Sequence, residues 1–107
     1  MLHRPKPPKD LTPGAKRLWQ RIFAEVELDS PAVLLLNTLC EAWDRLQEAR
    51  ALLARDGIVV KDRFQQDKPH PACAIERDAA ATMTRCWRLL GFDQQPADEI
   101  GMPPTGR

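Results

Sequence analysis

In the segment DKPHPACAIERDA, residues 67–79, His70 stands between two prolines and Cys73 follows it three positions later. An imidazole and a thiol at that separation could act as base and nucleophile, or as two ligands of a metal ion. Either chemistry needs further groups. A structural zinc takes about four ligands, and the only other histidine is His3, in a proline-broken N-terminal stretch. A nucleophile pair needs a third group that orients the base, and nothing near in sequence supplies one. The same residues fit a hinge better. A residue before proline is pushed out of helical geometry, whereas proline suits the first helical position. His70 is therefore expected to cap a helix that begins at Pro71. No catalytic residue and no metal ligand is assigned here.

Phosphate chemistry lacks its loops as well. The chain has neither a Gly-x-x-x-x-Gly-Lys-Ser/Thr segment nor a Gly-x-Gly-x-x-Gly segment after a strand, and these are what present backbone N–H groups to a nucleotide. The reading is of a protein that is not an enzyme and uses no cofactor.

The basic side chains are the better lead. Residues 1–21 carry Arg4, Lys6, Lys9, Lys16, Arg17 and Arg21 against Asp10 alone, while residues 22–59 carry seven acidic residues against three arginines. The whole chain sums to only +1, so the asymmetry points to a local anionic partner rather than to general stickiness. Six cations on an arm and one helix face could follow a phosphate backbone without reading bases. The plainer alternative is a solvated tail and an ordinary polar helix face. Repetition in an oligomer favours the first reading, because weak arms add as avidity.

These groups must be positioned by a mainly α-helical chain. Residues 1–10 are basic and proline-broken and are expected to form a disordered arm. A first helix follows in LTPGAKRLWQRIFAEVE, capped by Thr12 with Pro13 at its first position, and Ala15, Leu18, Trp19, Ile22 and Val26 share one face. A second helix starts at Asp29 or Ser30 and runs to Asp56, about 39 Å at about 1.5 Å per residue, with Gly57 as its terminator. Leu35, Leu39, Ala42, Leu46, Ala49 and Leu53 recur along it as a heptad-like seam, flanked by Leu36, Cys40 and Trp43. So broad an apolar surface is more than two short helices cover easily, and self-association is expected. GIVVKDRF reads as a short strand or hairpin before the last helix, on which Ala72, Ile75, Ala79, Met83, Cys86 and Leu90 share a face. Residues 11–92 form one helical oligomerisation domain, and residues 93–107 a disordered tail.

Two charged stripes accompany the seam. Glu41, Asp44 and Glu48 are spaced by three and four on the second helix, and Arg77, Arg85 and Arg88 lie opposite the apolar face of the third. Opposite stripes suit a head-to-tail contact between copies. A helix-turn-helix reader is disfavoured, since the second helix opens PAVLLLNTL, a mostly apolar stretch that reads as core or interface rather than as a set of polar side chains for base edges. Three cysteines with no Cys-x-x-Cys pair fit a reducing cytoplasm. No segment approaches the roughly 18 apolar residues that span a bilayer.

From about residue 8 to 92, the order of these features resembles a short phage terminase small-subunit family. The resemblance rests on the first helix with LW, the long LLLNTLCEAWDRLQEARALLARDGIVV segment, the polar loop ending KPHP, and the final RCWRLLGF. His70-Pro71 stands where that family usually has Asn-Pro, and FDQQPADEIG intervenes before any Pro/Ser/Arg motif after Leu-Gly. The resemblance implies a non-catalytic subunit in the host cytoplasm. It forms a ring, binds double-stranded viral DNA and delivers it to the large terminase subunit, which carries the ATPase and nuclease. A small helical transcription regulator, or an assembly adaptor without DNA, is the competing class.

Overall fold

The computed structural model describes residues 5–92, so Arg4 and the tail read at residues 93–107 lie outside the described residues. In chain order the elements are α1 (Pro13–Glu25), α2 (Ser30–Asp56), β1 (Val59–Lys61), β2 (Asp67–Pro69) and α3 (Ala72–Leu89). The class, the long central helix and the hairpin before the last helix agree with the sequence reading.

Each helix starts where its capping chemistry lies. Thr12 accepts a hydrogen bond from the Ala15 N–H at 3.2 Å, with proline in the first turn behind it. Asp29 does the same for Ala32 at 2.9 Å. These side chains satisfy N–H groups that have no partner inside the helix. Gly57 closes α2 at φ 82 and ψ 163, a positive-φ conformation that glycine adopts and other residues rarely do, and its N–H donates to the Leu53 carbonyl at 2.7 Å.

Thr12 also ties α1 to α2. Its N–H donates to Asp44 Oδ2 at 3.0 Å and its hydroxyl donates to Asp44 Oδ1. Beside this clamp the helices come close, since a Cβ on Gly14 would stand 3.0 Å from the Trp43 ring. Asp44→Ala removes two hydrogen bonds to a charged acceptor at a half-exposed site and should cost about 1–3 kcal/mol. Urea unfolding measures this, and an unchanged midpoint would show that the clamp contributes nothing.

α2 and α3 run antiparallel. Arg50 on α2 reaches Glu76 on α3 at 3.4 Å, while Cys40, ten residues earlier, shares the core with Cys86, ten residues later. α1 covers only the first half of this pair, where Leu11, Ala15 and Trp19 meet Leu36, Leu39, Cys40 and Cys86. Further along, Ala42, Leu46 and Ala49 of α2 and Ala72 and Ala79 of α3 are buried. Small side chains there let two helices exclude water without a third. The result is elongated, 61 × 38 × 19 Å, with a radius of gyration of 16.9 Å against about 12–13 Å for a compact chain of this length.

The hairpin projects from the far end of that pair. Val59, Val60 and Lys61 pair antiparallel with Pro69, Lys68 and Asp67. Its loop is built on Asp62, whose Oδ1 accepts from the N–H groups of Phe64 at 2.8 Å and Gln66 at 3.0 Å. Lys61 and Asp67 close the neck at 2.6 Å.

Candidate nucleic-acid interface

Lys6 and Lys9 are exposed on the segment that leads into α1, and Lys16, Arg17 and Arg21 lie along α1 itself, with Lys16 half-buried and both arginines exposed. The apolar face of α1 turns inward through Ala15 and Trp19, which leaves these cations on the remaining surface. Residues 5–7 lie against the helix. Pro5, Lys6 and Pro7 line a shallow cleft of about 250 Å³ together with Trp19, Gln20, Phe23 and Ala24. Lys6 is thereby brought to the Gln20 side of α1, where Lys16 lies one turn earlier. Beneath the cleft the Trp19 and Phe23 rings stack, with centroids 4.9 Å apart, and Trp19 Nε1–H donates to Asn37 Oδ1 at 2.7 Å. Arg21 is partly neutralised by Glu25 at 3.4 Å. Lys6, Lys9, Lys16 and Arg17 make no ion pair among the described residues. The aromatic pair as a seat for the arm is something the sequence reading lacked; the prolines at 5, 7 and 8 and the aromatics at 19 and 23 were its only signal.

The seam and stripe residues divide differently. Leu39 and Leu46 are 1% and 6% exposed and belong to the subunit's own interior, while Leu35 and Leu53 are half-buried. Asp44 is held by Thr12, which leaves Glu41 and Glu48 exposed on either side of it. Arg77, Arg85 and Arg88 are exposed, and Arg77 pairs with its neighbour Asp78 at 3.2 Å.

At the hinge, His70 uses every polar group it has. Its Nδ1 accepts from the Ala72 N–H at 2.9 Å, its Nε2 lies 2.9 Å from Asp56 Oδ2, and its carbonyl accepts from the Cys73 N–H at 2.9 Å. Its own N–H donates to the Ile58 carbonyl at 2.8 Å. A neutral ring with the proton on Nε2 satisfies both side-chain contacts. The helix formally begins after Pro71, so the capping atom comes from one residue further out. Hydrogen bonds from Arg55, and then from His70, hold the Asp56 carboxyl well below the usual carboxylate range. This corner joins the end of α2, the hairpin and the start of α3. Among the described residues, no group of three or more His, Cys, Asp or Glu side chains is placed to hold a metal ion.

The thiols differ sharply in environment. Burial, reinforced by Asp44 and Glu41, pushes the Cys40 thiol up to about 12, and burial raises that of Cys86. For Cys40 this leaves on the order of a thousandfold less thiolate at neutral pH than an ordinary cysteine has. Titration of the native chain with an aromatic disulfide should count one fast thiol, Cys73, and reach all three only in denaturant. Three fast thiols in the native state would contradict this packing.

Among the described residues, no helix is long and apolar enough to cross a membrane. Comparison with curated proteins and with solved structures gives no match. The model of one family, phage terminase, small subunit, matches residues 15–106. That span takes in nearly all of α1, both later helices and the hinge between them, and the chain belongs to the phage terminase small-subunit family.

Proposed function

We propose that this chain assembles into a ring, binds double-stranded viral DNA through the cations of its N-terminal arm and of α1, and hands that DNA to the large terminase subunit in the host cytoplasm. The observation that carries the reading is the family match together with four cations, Lys6, Lys9, Lys16 and Arg17, that make no ion pair among the described residues and lie along one helix and its leading segment. Arg4 and Arg21 add two further cations to the same stretch of sequence. Such a surface holds phosphates and does not discriminate bases. Repetition around an oligomer makes weak single contacts add. The subunit itself does no chemistry in this account, and the ATPase and nuclease belong to its partner. The Glu41–Glu48 and Arg77–Arg88 stripes are offered as charges that set the register of neighbouring copies, since exposed ion pairs give only ~0–1 kcal/mol each.

Changing Lys6, Lys9, Lys16 and Arg17 together to alanine tests the reading by fluorescence anisotropy with unrelated duplexes. Affinity should fall by at least ~10-fold on every sequence alike, with helicity unchanged because all four side chains lie outside the core. Undiminished affinity would place DNA on another surface.

A further inference from the structure

The arm meets α1 only because the chain reverses before it. The Leu11 N–H donates to the Pro8 carbonyl at 3.4 Å, which closes a turn over residues 8–11. The exit of that turn is fixed, since Leu11 is buried in the core and Thr12 is held by Asp44. Pro5, Lys6 and Pro7 then line one cleft with Trp19, Gln20, Phe23 and Ala24. Those helix residues lie six to eleven positions beyond Pro13, about 9–16 Å along α1. A chain that continued straight out from the helix start would carry residues 5–7 away from them.

The contact orders cations without neutralising them. Pro7 and Pro8 are half-buried, and so is Phe23, which packs against the core cluster with its ring stacked on Trp19. Each proline fixes one backbone angle, so this stretch loses less entropy on being held than an ordinary segment would. Lys6 and Lys9 stay exposed and make no ion pair among the described residues. A strap that masked the surface would instead pair those lysines with the subunit's own carboxylates.

We propose that Phe23, with Pro5 and Pro7, is a positioning residue for DNA: the stacked rings of Trp19 and Phe23 hold the arm along α1, so that Lys6 and Lys9 meet phosphates as part of a fixed surface. The inference rests on the DNA reading above and adds which uncharged residues set its affinity. An arm ordered when the subunit folds does not lose that freedom again when DNA binds.

Four variants of the full chain, measured by fluorescence anisotropy on a random-sequence duplex, test this. Pro5→Ser with Pro7→Ser lies outside every helix and changes no charge; helicity should be wild type and affinity should fall by roughly 5-fold. Phe23→Ala should give a similar fall, and joining it to the proline changes should add little, because both break one contact. Phe23→Tyr keeps the ring and should bind as wild type does. In a chain already carrying Lys6→Ala and Lys9→Ala, Phe23→Ala should cost less than about 2-fold, since few arm charges remain to be positioned. Wild-type or raised affinity in the proline variant overturns the proposal, the latter by making the seat a mask. A Phe23→Ala loss that persists in full without the two lysines also overturns it, because Phe23 then acts through the fold alone. If the lysine changes by themselves leave affinity untouched, the arm leaves the DNA surface altogether, an outcome distinct from an arm that matters while its seat does not.

Discussion

Trp19→Ala should destabilise the subunit by about 3–5 kcal/mol, the range for deleting a large aromatic side chain from a core. Trp19 is 2% exposed, stacks on Phe23 and donates to Asn37 on α2. It is the largest fully buried side chain and the means by which α1 grips the central helix. The loss approaches the whole stability of a domain this small, typically about 5–15 kcal/mol. Trp19→Phe keeps most of the apolar contact and gives up the hydrogen bond, so its cost should be nearer ~1 kcal/mol. Urea unfolding followed by far-UV circular dichroism separates the two. Equal costs would show that the hydrogen bond, and not packing, holds α1 in place.

Leu46→Asp should be as damaging for a different reason. Leu46 is 6% exposed between α2 and α3, in the stretch that α1 does not reach. A carboxylate there has no cation among the buried residues, since none of the buried side chains is polar or charged. Burying an unpaired charge costs several kcal/mol, about 3–5 where a partner is missing. Because this position lies inside one subunit, the variant should lose helicity at concentrations where assembly plays no part. A variant with wild-type helicity that merely fails to assemble would place Leu46 between subunits instead.

That contrast shows what periodicity can reveal. The capping residues Thr12 and Asp29, the terminator Gly57 and the proline-led entry to α3 were legible because each acts on backbone within four residues. The apolar faces were legible too. Which surface covers a face was not: Leu39, Ala42, Leu46 and Ala49 read as part of a seam that a neighbouring copy could cover, whereas all four are buried within the one chain, Leu39 in the cluster that also holds Ala15 and Trp19 of α1. Asp44 makes the same point, since its spacing with Glu41 and Glu48 suggests a stripe while its oxygens are bound to Thr12, 32 residues earlier. His70 was legible as a cap, but its bond to Asp56 depends on the hairpin folding the chain back by 14 residues. The basic surface was readable as composition. Its geometry needed the arm to be seated on Trp19 and Phe23, a contact between residues that no local rule connects.

In the proposed function, this small subunit holds DNA by its phosphates, through the arm and α1. The most direct measurement is the affinity of the wild-type chain for a random-sequence duplex as a function of salt. Each phosphate contact contributes a slope of about −0.9 in log K against log salt. A steep linear fall is expected, with a slope of about −3.6 from the four cations that make no ion pair among the described residues, and steeper if copies act together. A slope near zero, or binding that survives high salt on one sequence only, would contradict it.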